Sequence, residues 1–368
     1  MAIQRGTSIS YYQQIKQKII NKIKENVYRP DDKIPSEREL CEIYSVSRTT
    51  IRKAIDELQA EGILCRKSGK GTFVTDKEIK VREKTGNILF LRCVHSNIES
   101  SVSAVKDDVF YPKVLIGVEI TASSSDYNCI IKTINENNFN QQELEKVFDN
   151  VDGIVCGELH NEEFLNFLLK VPLPVVLVSP SIISSVIDIV EIDNIGGAES
   201  AVSYLIESGH HLVGFIGGPA ESIPSKMREK GYLQALEHHN RPLEQGLQIS
   251  GGWRLEDGYN GAVKLLNRQP RPTAIFAASD LLAIGAINAV KDYGLAIPQD
   301  ISMIGFDDIE LASQIKTPLT TMAVRKVELG KVAATLILEH LTYQRDYPIK
   351  ISIPTILKER DTVLKIEK

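Results

Sequence analysis

Arg48 and Arg52 stand one helical turn apart with Thr49 and Thr50 between them. On a helix that spacing puts two guanidinium forks on one face, where they can reach guanine edges or phosphates. The threonines beside them can meet backbone oxygens or thymine methyls. A bare basic helix end with no ligand is the competing reading of the same four residues. Further along, Ser279-Asp280 follows the apolar run Ile275 to Ala278, and Asp307-Asp308 follows Ile304 to Phe306. Carboxylates just beyond strands can accept hydrogen bonds from sugar hydroxyls. Asp280 serves equally well as the cap of a helix starting at Leu281. Asp307 has no obvious helix behind it and is the better ligand candidate.

Other chemistries lack their residues. The cysteines, Cys41, Cys65, Cys93, Cys129 and Cys156, lie 24 or more residues apart, which offers neither a metal site nor a redox pair and reads as buried free thiols. His210-His211 and His238-His239 are adjacent pairs that cannot share a helical face. No HExxH, nucleophile elbow or complete GxGxxG occurs, and Gly69-Lys70 lacks the spacing of a phosphate-binding loop. No catalytic residue, metal or cofactor is expected, and the chain is not read as an enzyme.

The elements that must position Arg48 and Arg52 are legible nearby. Tyr12, Ile15, Ile19 and Ile23 recur at helical spacing and predict a helix over about Ser10 to Glu25. Ser36 and Glu39 form an S-x-x-E box opening a short helix with apolar positions Leu40, Ile43 and Tyr44. Ser45 to Ser47 turns the chain, and Ser47 caps a longer helix with the buried stripe Ile51, Ala54, Ile55 and Leu58, closed by Gly62. Two helices joined by a tight turn, the second more basic, form a helix-turn-helix pattern. Residues 63 to 74 then predict two strands around Ser68-Gly69-Lys70-Gly71. At such a tip Gly69 removes bulk and Lys70 supplies charge, which suits a minor groove.

Charge follows the same division. The net charge is -5, yet residues 1 to 76 hold 14 Lys/Arg against 10 Asp/Glu, leaving 29 against 38 for the rest. A basic head on an acidic body can hold a phosphate backbone at one end and stay dissolved at the other. Residues 77 to 86 are polar and charged, a connector. From Asn87 onward β-branched runs alternate with helical stretches in two successive series. That alternation predicts parallel sheets flanked by helices, in two similar lobes. No apolar run is long enough to span a membrane, and the first residues lack the apolar core of a secretory signal, so a cytoplasmic protein is expected.

The run IPSERELCEIYSVSRTTIRKAIDELQAEGIL, followed by SGKGTFV, resembles the winged helix-turn-helix of GntR-family regulators over residues 8 to 76. The resemblance implies DNA contacts from Arg38, Arg48, Thr49, Thr50, Arg52, Gly69 and Lys70, with Lys67 and Ser68 as extras. The larger part resembles the effector-binding domain of LacI/GalR-type regulators, itself similar to periplasmic sugar-binding proteins. That likeness is carried by Asp193-Asn194, SGHHLVGFIGGP from Ser208, MREKGYLQAL from Met227, IFAASDLLAIGA from Ile275, and ISMIGFDDIELAS with PLTT from Ile301. It implies an effector held by Arg228 and Asp307, with Ser279 at a position that is often Asn. Trp253 would stack on a sugar ring unless it is only a core aromatic, and Phe110 and Tyr111 would close the pocket.

The implied architecture is an α/β chain with a winged head (1 to 76), a linker (77 to 86), a two-lobed effector and dimerisation domain (87 to 358) and a C-terminal tail (359 to 368). This pairing is similar to that of arabinose-operon repressors. It implies a homodimer on a near-palindromic operator, released by a small molecule, with arabinose or a related pentose as the resemblance's suggestion. An Arg-Asp pair also fits a sugar phosphate or a sugar acid, and the same parts can build an activator. A transporter's solute-binding protein is a remote alternative, since it has no use for residues 1 to 76.

Overall fold

The computed structural model describes residues 11–60, 62–75, 84–94, 110–182, 184–343, 345 and 347–366. The start of the first expected helix and positions 76 to 83 of the connector region lie outside them. The main division of the chain falls between Thr85 and Gly86.

The smaller unit runs α1 (Tyr11–Lys24), α2 (Glu37–Tyr44), α3 (Arg48–Ala60), β1 (Leu64–Lys67) and β2 (Gly71–Val74). Ile15 and Ile19 of α1 meet Leu40 and Tyr44 of α2 and Ile51, Ala54, Ile55 and Leu58 of α3 in one core. Ser36 caps α2 as its sequence dictates: its backbone N–H donates to Glu39 Oε2 at 2.7 Å, and Glu39 N–H donates back to Ser36 Oγ at 3.3 Å. Ile43, expected on the inner face, is instead 51% exposed, because an eight-residue helix buries only one narrow stripe. Ser45 turns the chain with φ 53°, a left-handed corner closing α2. The wing strands pair antiparallel from Leu64↔Val74 to Lys67↔Gly71. Gly69 takes φ 70° at the tip, a conformation that excludes most side chains.

The larger unit contains two six-stranded sheets. The first has the order β13-β7-β6-β5-β3-β4, built from β3 (Asn87–Val94), β4 (Asn128–Asn135), β5 (Gly153–Gly157), β6 (Val175–Val178), β7 (Asp188–Ile192) and β13 (Lys350–Ile353). All its pairs are parallel. The second has the order β14-β12-β11-β10-β8-β9, from β8 (Val213–Gly217), β9 (Gln248–Ser250), β10 (Ala274–Ala277), β11 (Ser302–Asp307), β12 (Thr320–Ala323) and β14 (Ile356–Lys358), with only β14 antiparallel. Helices α4 (Tyr111–Ser123), α5 (Gln141–Phe148), α6 (Glu162–Leu168) and α12 (Lys326–Thr342) serve the first lobe. The second has α7 (Asn194–Glu207), α8 (Ile223–His238), α9 (Leu255–Leu266), α10 (Asp280–Asp292) and α11 (Glu310–Gln314). The chain passes between lobes three times: from β7 into α7, from β12 into α12, and from β13 into β14.

The expected two-lobed α/β architecture is present. The residues expected as a tail, 359 to 368, are instead built into the second lobe as far as Ile366. Thr362 is fully buried, its hydroxyl donating to Met303 O at 2.7 Å while Thr320 N–H donates to it at 2.9 Å. Buried strand ends require partners for their polar groups, and this segment supplies them. Cys93 and Cys156 are buried thiols as expected, whereas Cys41, Cys65 and Cys129 are half-buried.

Candidate nucleic-acid interface and ligand cleft

In the smaller unit the start of α3 is ordered from outside the helix. Ser47 Oγ accepts from Thr50 N–H at 3.3 Å and shares hydrogen bonds with the hydroxyls of Thr49 and Thr50 at 2.8 and 2.7 Å. Glu37, at the first position of α2, accepts from Arg48 Nε at 2.9 Å and lies 3.6 Å from Arg52 Nε. The hydrogen bond from Arg48, together with the charges of Arg52, Arg48 and Arg66, holds the Glu37 carboxyl below its usual range in spite of partial burial. Arg38 projects into solvent with an i,i+4 partner, Glu42, at 3.3 Å. Gly69 and Lys70 form the exposed tip of the wing, and an added Cβ at Gly69 would meet nothing within 4 Å. Arg48, Arg52 and the two threonines therefore share one exposed helix end, with Arg38 on the preceding helix and Gly69-Lys70 on the wing.

In the larger unit the second lobe gathers its polar groups at the carboxyl ends of its strands. Arg228 of α8 is 4% exposed. Its Nε donates to Asn194 Oδ1 at 2.8 Å, Nη1 to the Ala278 carbonyl at 2.5 Å, and Nη2 to Asp307 Oδ1 at 3.3 Å. The guanidinium lies 3.8 Å from the Phe306 ring centroid and 5.9 Å from that of Trp253. Burial lowers its affinity for a proton, and the Asp307 charge opposes that. A guanidinium has five N–H donors, so two remain without a partner among the described residues.

Trp253 lies against Gly218, where an added Cβ would come within 2.4 Å of the indole, so the absence of a side chain there is what admits the ring. Asp307 and Asp308 turn sharply at φ 111° and 51°. Contrary to expectation, a short helix, α11, does begin three residues behind Asp307. Asp308 accepts from Arg360 at 2.6 Å, which leaves Asp307 as the carboxylate facing Arg228.

The capping question is resolved against Asp280. Ser279 caps α10, its Oγ accepting from Leu282 N–H at 3.3 Å, while it is itself only 7% exposed. Asp280 is fully buried, accepting from Thr321 Oγ1 at 2.5 Å and Ile309 N–H at 2.8 Å. Burial, with the nearby Asp307 charge adding, pushes its pKa up to about 7. Phe110 and Tyr111 come from the first lobe with ring centroids 5.0 Å apart. Phe110 reaches the same neighbourhood through Lys326, whose ammonium lies 5.7 Å from its ring and donates to the Asp307 carbonyl.

Sequence reasoning missed Asn194 and Lys326. Asn194 stands in the Asp-Asn pair already singled out, but only the fold turns it toward Arg228. Lys326, 3% exposed, follows Arg325 in a run that reads as solvated helix start.

Both units have counterparts among known proteins. Residues 11–74 match the gntR family of bacterial regulatory proteins, and residues 202–363 match a periplasmic binding protein-like domain. The chain is 26% identical to the arabinose metabolism transcriptional repressor of Geobacillus stearothermophilus, over 89% of this chain and 90% of that one. It is 32% identical to catabolite control protein A of Priestia megaterium, over 64% of this chain and 72% of that one. Among solved structures, a regulatory protein of the LacI family from Chloroflexus aggregans superposes with a TM-score of 0.67 at 25% identity, covering 76% of this chain and 99% of that one. These relatives are regulators of transcription rather than enzymes. No helix among the described residues is long and apolar enough to cross a membrane. With a GntR-type winged head on a periplasmic-binding-protein-like body, the chain belongs to the LacI-type family of DNA-binding transcription regulators.

Proposed function

We propose that the protein represses a carbohydrate-utilisation operon and releases its operator when a sugar, arabinose or a related pentose, binds between the lobes. The observation that carries this reading is Arg228: a buried guanidinium fixed on three sides, with two donors unused, set beside the Asp307 carboxylate. Such a pair offers donors and an acceptor to adjacent sugar hydroxyls, with Trp253 available to cover a ring face. Closing the lobes on a ligand shifts the packing of two subunits and thereby the spacing of their reading heads. Heads that read half-sites at fixed separation then lose affinity for a near-palindromic operator. The arabinose-metabolism relative supports the choice of pentose.

A second reading, an effector bearing a carboxylate or phosphate, is favoured by Lys326, a second buried cation held on a carbonyl rather than on a carboxylate. The test is a thermal-shift panel of pentoses, hexoses, sugar acids and sugar phosphates against the intact protein, Arg228→Ala and Asp307→Ala. One class should raise the melting temperature of the intact protein and leave both variants unmoved. Variants that respond like the parent would place the effector elsewhere.

A further inference from the structure

Three arginines from two different elements converge on one carboxylate in the smaller unit. Besides Arg48 and Arg52 of α3, Arg66 of β1 donates from Nη2 to Glu37 Oε1 at 3.1 Å. The Glu37 side chain is 11% exposed, whereas those of Arg48, Arg52 and Arg66 are 73%, 56% and 58% exposed. The arginine ends of these pairs are mostly in solvent, which limits what each pair adds to stability. Three cations on one anion leave a net charge of +2 at an exposed surface, an arrangement that attracts a further anion. Arg66 engages Glu37 through Nη2, and a guanidinium carries further N–H donors that a second acceptor can use.

We infer that Arg66 grips a backbone phosphate of the operator beside the base-reading end of α3, and that Glu37 is a positioning residue holding the three guanidinium groups in register. The inference rests on the operator-binding reading above. Arg66 belongs to a wing strand rather than to the helix that would enter the groove, so its partner is the sugar-phosphate edge flanking that groove. Glu37 acts in two ways. It orients the Arg48 fork, and its negative charge opposes phosphates that approach without the correct fit.

The test uses the full-length protein and a duplex that it selects from a random pool, with a scrambled duplex of the same length as control. Binding is followed by fluorescence anisotropy over a salt series, and melting curves confirm folding. For Arg66→Gln the plot of log affinity against log salt should become shallower by about 1, with the ranking of base substitutions retained. Arg66→Lys should keep the slope, since a phosphate needs the charge and not the fork. For Glu37→Gln, affinity for the scrambled duplex should hold or rise while preference for the selected one falls by about tenfold or more, the discrimination of one oriented arginine contact. A parental slope in Arg66→Gln, or loss of preference at one base position without a change of slope, overturns the phosphate assignment. Full preference in Glu37→Gln overturns the positioning role. Failure of the parent protein to select any sequence would remove the operator-binding reading itself.

Discussion

Arg228 shows how a buried cation is made tolerable. Each of its three hydrogen-bonded nitrogens has a different partner, and Asn194 serves only by presenting an amide oxygen. Asn194→Ala leaves Nε–H unpaired in a buried site, a loss of about 1–3 kcal/mol in unfolding free energy that denaturant titration would register. Asp280 carries a pH dependence of definite sign. Its pKa is raised from 3.8 to about 7, so the folded state holds a proton that the unfolded chain gives up. That contribution is fully present below about pH 4 and is lost progressively until the pH passes about 7. The melting temperature of the intact protein should therefore fall between these limits more steeply than that of Asp280→Asn, and parallel profiles would refute the assignment. Asp307 could be named from sequence because it follows a strand-like apolar run, and Arg228 only because the run that holds it resembles one in LacI/GalR-type regulators. Asn194 and Lys326 could not, because their roles depend on which side chain a distant segment presents to them.

At the level of elements, the contact between α4 and α12 is made by two glycines. A Cβ on Gly117 would stand 2.0 Å from the Val327 carbonyl, and one on Gly330 would stand 1.9 Å from that of Val114. The helices thus touch backbone to backbone, and a single methyl must push them apart. Gly330→Ala should cost about 1–3 kcal/mol of stability, read by urea denaturation, despite the better helix propensity of alanine. Elements with strong periodicity or apolar runs were legible: α1 to α3 and the wing lie close to their expected places, and β3, β5, β6, β8 and β10 fall on apolar runs of the alternating series expected from Asn87 onward. The strands β7, β12, β13 and β14 were not. β7, β12 and β14 carry no alternation and β13 alternates over only four residues, so what makes them strands is a neighbouring edge, to which sequence gives no access.

For the whole molecule, the proposed dimer has a surface to account for. Ile116 and Ile120 stand one turn apart on α4 with exposures of 46% and 50%, and Ile131 on neighbouring β4 is 57% exposed. Three large apolar side chains on one lobe face invite a second copy. Sedimentation at micromolar concentration should give a dimer for the intact protein and a monomer for Ile116→Asp combined with Ile120→Asp; a monomer in both would remove the half-site argument. The split between basic head and acidic body was visible in charge alone, and the two-lobed body in its alternating rhythm. The integration of the last residues was not, because Thr362 looks like any polar residue near a chain end. Trp253 has one more consequence. It is the only tryptophan in the chain, and it sits on Gly218 within 5.9 Å of the Arg228 guanidinium. Excited at the red edge of indole absorption, the untagged protein emits from this single fluorophore, so its intensity and wavelength report the polarity and quenching around that one ring. Any solute that enters beside Arg228 thus announces itself optically, without a label or an operator.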